Sequence, residues 1–176
     1  IVSAISCLSQ QAGYQLLFGD IVSKSPELRA RAARAFAQSL VDEGVAGVLY
    51  QPLELVDDVV RVNREILSVF DRAGVPVVIL DNDFLQCPHR GGYDVVGIDN
   101  VAAGSLVAEH LLACGVRRIS FQKRPRCSSS VNARLRGVVS TLAVRRGAFG
   151  CSVLEAEPDD RTAAVVWLTA RDRPRA

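Results

Sequence analysis

Polar side chains end several short apolar runs in this sequence, and they are the first candidates for chemistry. The runs are "GYQLLFGD" (13–20), "GVAGVLYQP" (44–52), "GVPVVILDN" (74–82) and "GYDVVGIDN" (92–100). Such nearly continuous apolar runs are typical of strands buried on both faces of a parallel sheet. The polar residues that end them are Asp20, Gln51, Asp81 and Asp99. In a parallel sheet these side chains would share one edge, the place where such sheets bind ligands.

The Asp99-Asn100 pair stands where a strand turns into a helix, and its position allows two roles. One of the two side chains can accept a hydrogen bond from the unpaired backbone N–H groups of the helix that follows, which contributes about 1 kcal/mol. The Asp99 carboxylate can also accept hydrogen bonds from the hydroxyl groups of a ligand at the sheet edge. The two roles can coexist.

A second group of candidates lies in "SSSVNARLRG", residues 128–137. One of the three serines can cap a helix, which places Arg134 about one turn inside it, three residues before Gly137. An arginine near a helix start opposes the helix dipole, so its position needs a reason. A guanidinium fork directed into a cleft suits sugar hydroxyls or a carboxylate. The alternative is a solvated arginine, since Arg136 is a near neighbour.

Several common catalytic and cofactor motifs are missing. The sequence contains no G-x-G-x-x-G, no G-x-x-x-x-G-K-[ST] and no G-x-S-x-G. His89 and His110 stand far apart, and neither has a Cys, Asp or Glu at metal-ligand spacing. We therefore predict no catalytic residues, no bound metal and no cofactor.

The composition is that of an ordinary globular protein. Of 176 residues, 49% are hydrophobic and 23% are charged, with a formal net charge of +2. The basic residues are dispersed, so no nucleic-acid-binding patch is predicted. The five cysteines are widely spaced and form no C-x-x-C pair, which indicates a reducing compartment. No apolar run approaches the roughly 18 residues of a membrane helix, so we expect a cytoplasmic chain with no membrane partner.

Helical patterns lie between the apolar runs. A helix predicted at 25–43 has Ser25 as N-cap, Pro26 at its first position and Gly44 as its terminator. Its apolar face is expected to hold Leu28, Ala32, Phe36 and Leu40. Further helices are predicted at 53–73 and 100–114, with a strand in 115–123 and one more helix in "DDRTAAVVWLTARD" (159–172). Residues 83–92 and 123–130 are predicted to be loops.

The alternation of strands and helices predicts an α/β fold, a parallel sheet flanked by helices. Four segments then resemble the effector-binding domain of Lac-repressor-type (LacI-type) bacterial transcriptional regulators, which is itself similar to periplasmic sugar-binding proteins. The segments are "DEGVAGVLYQP", "RAGVPVVILDND", "VVGIDNVAAGSLVAEHLLACGVRRISF" and "SSSVNARLRG". Their order and approximate spacing match the family from residue 13 to about residue 142.

The resemblance implies an incomplete two-lobed fold of the periplasmic-binding-protein-like type I class, with a small-molecule effector, usually a sugar, between the lobes. Residues 1–115 would form the N-terminal lobe without its first strand, and 116–176 part of the C-terminal lobe. The family's ligand-contacting arginine falls on Arg134, and its acidic position before the helix falls on Asp99. The predicted ligand-binding residues are Arg134, Asp99, Ser130, Asp81 and Gln51.

The resemblance also implies partners for the longer protein. The full-length regulator would be a homodimer, and it would contact DNA only through a helix-turn-helix segment that is absent from this chain. A chain cut at both ends would expose sheet edges and apolar surface, so we expect it to be unstable, aggregation-prone or dependent on a partner chain.

Two alternatives to a regulator follow from the same residues. One is a periplasmic-type transport receptor for sugars, which has the same fold. The other is a small α/β enzyme or phospho-acceptor domain that uses Asp81 and Asp99 as an acidic site.

Overall fold

The computed structural model describes residues 2–19, 25–85, 88–145, 147, 149–157, 160 and 162. Within these ranges the chain alternates helices with short strands. The helices are α1 (Val2–Gln11), α2 (Pro26–Asp42), α3 (Val59–Ala73), α4 (Asn100–Ala113) and α5 (Ser129–Val144). The strands are β1 (Val48–Tyr50), β2 (Val77–Leu80), β3 (Asp94–Val96), β4 (Arg118–Lys123) and β5 (Gly150–Glu155).

Helix α2 begins and ends close to the predicted residues, but only Leu40 and, in part, Phe36 of its predicted apolar face are buried. Pro26 is its first residue, and the hydroxyl of Ser25 donates to the Glu27 carboxylate rather than accepting a backbone N–H. Leu28, predicted to be on the apolar face, is 58% exposed, and Ala32 is exposed as well. The buried residues are Ala30, Ala33, Ala37 and Leu40. Small side chains on this face let α2 approach α3, whose bulky residues fill the space between them.

Helix α3 supplies the largest buried side chains of the first apolar core. Its side chains Ile66, Leu67 and Phe70 are almost completely buried, and Ile79 of β2 is buried beneath them. The helix ends at Gly74, whose φ of 67° is the left-handed conformation that a helix C-cap commonly requires. These contacts fix the position of the strand ends that follow β1 and β2.

The first sheet is parallel, with the strand order β1-β2-β3. The pairing sets Tyr50 opposite Ile79, and Ile79 opposite Val95. Tyr50 and Ile79 pack against Leu67 of α3, whereas on the opposite face of the sheet Leu49 is 48% and Val96 is 63% exposed. Strand β3 is exposed at all three residues, so the prediction of a strand buried on both faces is wrong for β3. The uncovered face is consistent with the expected need for a partner chain, which stays a prediction.

The second sheet pairs β4 with β5 in parallel, and α4 and α5 pack together beside it. The two helices meet backbone to backbone at two glycines. A Cβ atom on Gly104 would overlap the carbonyl oxygen of Arg134, and a Cβ atom on Gly137 would overlap that of Val101. The absence of side chains at both positions therefore permits the close crossing.

The apolar clusters fall into two groups. The clusters built on α2, α3, β1 and β2 share no residue with the cluster of Ala108, Ile119, Val138 and Leu142. Helix α4 belongs to this second cluster through Ala108. The predicted lobe boundary at residue 115 stays a prediction, but α4 shares its core with elements that follow residue 115.

Other sequence-based predictions differ from the structure as well. Helix α1 was not predicted, and the helix predicted at 53–73 begins only at Val59. The run 13–20 was expected to be a strand, yet residues 14–19 have no regular structure. Strand β5 was not predicted, because "GCSVLE" lacks the continuous apolar character of the other runs. The four described cysteines are free thiols. Asp20, Cys87 and nearly all of the predicted helix at 159–172 lie outside the described residues.

Candidate ligand-binding site

A small recess lies at the carboxyl ends of β1 and β2. It is lined by Gln51, Pro52, Glu54, Leu80, Asp81 and Asn82. Its empty volume is about 170 Å³, including the open solvent at its mouth. Ordinary ligand pockets occupy about 300–1,000 Å³, so a ligand would have to widen this one. The structure thus brings the predicted residues Gln51 and Asp81 together, at the sheet edge where they were expected.

The backbone at Asp81 is held in an unusual conformation. Its φ of 73° is left-handed, which is uncommon for a residue other than glycine. The Asp81 N–H donates to the carbonyl of Val96 over 2.9 Å, and a Cβ on Gly97 would overlap the Asp81 carbonyl oxygen. Close approach of the β3 end therefore fixes the turn that carries Asp81 into the recess. Strained backbone of this kind is frequent at functional sites.

Residues 51–58 form the loop between β1 and α3, and a single buried amide organises this loop. The Asn63 side chain is fully buried; its Nδ2 donates to the carbonyls of Leu53 (2.9 Å) and Val59 (2.7 Å). Its Oδ1 accepts the N–H of Leu53 (2.9 Å) and the hydroxyl of Tyr50 (2.5 Å). Every hydrogen-bonding capacity of this amide is used, so the loop that carries Gln51 and Glu54 has a fixed shape.

Asp99, one of the two residues predicted to cap this helix, is the N-cap of α4. Its Oδ1 accepts the backbone N–H of Ala102 over 2.9 Å. The residue is exposed and does not line the recess. A direct contact between Asp99 and a ligand stays a prediction.

Arg134 connects to the recess through two asparagines. Its Nε donates to Oδ1 of Asn100 over 2.8 Å, and Asn100 is only 3% exposed. The Nδ2 of Asn100 lies 3.4 Å from Oδ1 of Asn82, which lines the recess. The Nδ2 of Asn82 is buried and has no partner among the described residues. An unpaired buried donor costs free energy, so a ligand acceptor at this position would be favoured.

Sequence reasoning did not predict Asn82 or Asn100 as site residues and named the aspartates before them instead. A signal was present, since the dipeptide Asp-Asn occurs at 81–82 and again at 99–100, each time after an apolar run. The carboxylates drew attention because they are charged. In the structure the amides, which can donate as well as accept, form the connection between the two strand ends.

Ser130, the remaining predicted residue, is buried in the first turn of α5. Its hydroxyl lies 2.8 Å from that of Ser128, and it does not line the recess. Ser129 is the serine of this segment that connects to the recess. Its backbone N–H donates to the Glu54 carboxylate over 2.9 Å, and its hydroxyl donates to the same oxygen.

A second ionic contact lies beside this one. Arg126, in the loop before α5, donates to the Asp57 carboxylate over 3.1 Å, and both side chains are well exposed. Since the Glu54 contact and this ion pair both join residues 51–58 to the start of α5, polar groups join the two apolar cores here. Across the described ranges, no group of three or more His, Cys, Asp or Glu side chains could hold a metal ion.

The sequence matches no protein-family model, and no curated protein matches it. Solved structures are similar in fold. The transcription regulator GntR from Chromobacterium violaceum matches with a TM-score of 0.61 and 20% identity, covering 89% of this chain and 52% of that one. GanP, a glucose-galactose binding protein from Geobacillus stearothermophilus, matches with a TM-score of 0.66 and 19% identity, covering 93% of this chain and 54% of that one. An uncharacterized protein from Actinobacillus succinogenes matches with a TM-score of 0.70 and 21% identity, covering 98% of this chain and 58% of that one.

The chain has a periplasmic-binding-protein-like fold. Parallel sheets flanked by helices, with this resemblance, confirm the predicted fold class. The chain spans about half the length of the solved structures it matches, so its fold is incomplete relative to theirs. In the part of the chain that the structure describes, no helix is long and apolar enough to cross a membrane.

Proposed function

We propose that this chain is the sugar-binding part of a LacI-type transcriptional regulator, a cytoplasmic and non-enzymatic protein. In the longer protein, a homodimer, a sugar bound between two lobes would control DNA binding through a separate DNA-binding segment. The observation that carries this proposal is the recess at the carboxyl ends of β1 and β2, with polar side chains from both halves of the chain around it. The fold neighbours include a transcription regulator, which supports the regulatory role.

Each predicted residue has a part in this proposal. Gln51 and Asp81 would hydrogen-bond the hydroxyl groups of the sugar from within the recess, together with the unpaired amide of Asn82. Arg134 would supply its terminal guanidinium N–H groups, since only its Nε has a hydrogen-bond partner within the described ranges. Asp99 and Ser130 would line the widened cleft when the recess opens.

Opening would separate two lobes that meet largely through polar groups. The described helices and strands form their main packing contacts within one apolar core or the other. When polar contacts separate, hydrogen bonds to water replace them at little net cost in free energy. Exposing apolar surface to water would cost much more. The lobes can therefore open to admit a ligand and close again.

A thermal-shift series with neutral pentoses and hexoses tests the proposal. We expect at least one sugar to raise the melting temperature of the wild-type protein, and Arg134→Ala to weaken that stabilisation. Arg136→Ala is the matched control, because Arg136 is an exposed arginine of the same helix. Equal stabilisation of wild type and Arg134→Ala by the best sugar would contradict the role of Arg134. No stabilisation by any sugar would contradict the proposed ligand class.

The second candidate function is that of a transport receptor for sugars. It is favoured by the likeness to the glucose-galactose binding protein GanP. The two functions share the sugar site and differ in what the longer protein carries. Binding of the longer protein to promoter DNA, with release by the stabilising sugar, would support the regulator; an export signal in the coding sequence upstream would support the receptor.

A further inference from the structure

Glu54 holds a position that connects the recess to the start of α5. Its carboxylate is among the groups that line the recess. The same carboxylate accepts both the backbone N–H and the hydroxyl of Ser129, a residue 75 positions away in the sequence. Glu54 is half-buried, whereas Ser129 is exposed, so the two hydrogen bonds lie at the surface.

The start of α5 has no acidic group of its own. Its first turn contains no Asp or Glu, and the side chain of the N-cap residue Ser128 makes no capping hydrogen bond. The first N–H groups of a helix have no partner within the helix, and the helix dipole favours negative charge there. Glu54 therefore provides, from the β1–α3 loop, the anion that this helix end lacks.

The charged residues that line the recess are both acidic, although Arg134 is connected to it through Asn100 and Asn82. Its lining residues contribute two carboxylates, Glu54 and Asp81, two amides and no cation. The nearby Arg126 is already paired with Asp57 over 3.1 Å. An anionic ligand in the recess would face both carboxylates, and it would find the N–H of Ser129 already occupied.

We propose that Glu54 determines the ligand class of this site, by occupying the start of α5 and so reserving the recess for uncharged ligands. The inference rests on the proposed function and makes it more specific, because it separates neutral sugars from sugar phosphates and sugar acids. Glu54 acts on ligand choice through its negative charge and through its place at the start of α5. It also ties the recess to α5, so a ligand that displaces Glu54 would release this contact between the two halves.

Titration with inorganic phosphate, followed at the Ser129 amide by two-dimensional NMR, tests the inference without any sugar. In wild type we expect no saturable phosphate-dependent shift at this amide. Glu54→Gln removes the charge while keeping the shape, and we expect it to give a saturable shift at this amide, at least about fivefold larger than the wild-type shift at the same phosphate concentration. Glu54→Ala, which also removes the acceptor, is expected to show a gain at least as large.

The control is Glu43→Gln, which removes one negative charge from an exposed residue at the end of α2. Its phosphate response at Ser129 is expected to equal that of wild type. Saturable phosphate binding at Ser129 in wild type, or no gain in either Glu54 variant, would overturn the inference. If no neutral sugar stabilises the protein while the Glu54 variants gain phosphate binding, the inference about Glu54 stands and the sugar-binding function fails.

Discussion

Arg134 and Asn100 are joined across the interface between α5 and α4, with the arginine Nε donating to the amide Oδ1 over 2.8 Å. Asn100 is the first residue of α4 and is almost fully buried, so its side chain has one fixed position. This bond orients the guanidinium group and links it, through Asn100, to Asn82 in the recess. Arg134 is thus held in place in advance of any ligand.

A double-mutant cycle measures this link. We expect Arg134→Ala and Asn100→Ala to be coupled by about 1–2 kcal/mol in the free energy of unfolding, because one partner alone leaves a buried polar group unpaired. Denaturant titration of wild type, both single variants and the double variant gives the value. Arg136→Ala combined with Asn100→Ala is the control and should be additive. Additivity within about 0.5 kcal/mol for Arg134 and Asn100 would show that the bond does not hold the arginine.

Much of the fold could be predicted from local sequence signals. The strands β1, β2, β3 and β4 and the helices α2, α3, α4 and α5 all lie where apolar runs, caps and glycines placed them. Strand β5 was missed because "GCSVLE" has no continuous apolar run, and only its pairing with β4 reveals it as a strand. The buried face of α2 was predicted only in part. Leu40 is buried and Phe36 packs against the core as expected, but three alanines form the rest of the face in place of Leu28 and Ala32.

The candidate site could be predicted only in part, for a similar reason. The edge position of Gln51 and Asp81 and the capping role of Asp99 follow from the strand ends themselves. The role of Glu54 does not, because its partner Ser129 is brought near by tertiary structure alone. Asn63, which holds the loop that carries Glu54, looks in the sequence like one polar residue in an amphipathic helix.

Because α4 and α5 cross in close contact, we expect substitution of either glycine at the crossing to destabilise the fold strongly. Gly104→Ala or Gly137→Ala would place a methyl group against the backbone of the opposite helix. Each is expected to lower the free energy of unfolding by about 3 kcal/mol or more, since neither backbone can move without separating the helices. Gly150→Ala is the control, because a Cβ there meets no atom within 4 Å. If all three variants unfold at the same denaturant concentration, the helices do not cross at these residues.

Asn63 is expected to be the most sensitive polar residue of the first apolar core. Asn63→Ala would leave the N–H and carbonyl of Leu53 and the hydroxyl of Tyr50 without their partner. We expect a loss of about 2–4 kcal/mol in the free energy of unfolding and faster amide exchange in residues 51–58. Asn132→Ala, at an exposed position on α5, should change stability by less than about 0.5 kcal/mol. Unchanged exchange in 51–58 would contradict the organising role of Asn63.

The burial of Tyr50 leads us to expect that the free energy of unfolding depends on pH in the alkaline range. Burial raises the pKa of Tyr50 above its ordinary value of 10.0. A raised pKa in the folded state means that the unfolded chain releases its proton first. The stabilising contribution is therefore complete below about pH 10 and is lost as the pH rises further. Denaturation curves of wild type between about pH 9 and 11.5 should show this loss.

Replacement of Tyr50 by Phe separates this effect from general alkaline unfolding. Tyr50→Phe keeps the ring and removes the ionisable hydroxyl, so its stability should fall less steeply with pH than that of wild type. Tyr14→Phe changes an exposed tyrosine and should retain the wild-type slope. Identical slopes for wild type and Tyr50→Phe would mean that the Tyr50 hydroxyl is not buried as described.

The central claim is that a neutral sugar binds at the carboxyl ends of β1 and β2, between the two halves of the chain. Amide chemical-shift mapping tests it most directly, with the sugar that stabilises the protein most as the titrant. The account predicts saturable shifts at Gln51, Asp81, Asn82 and Ser129, with one shared dissociation constant. Shifts confined to α1 and α2, with these four amides unchanged at saturation, would contradict it.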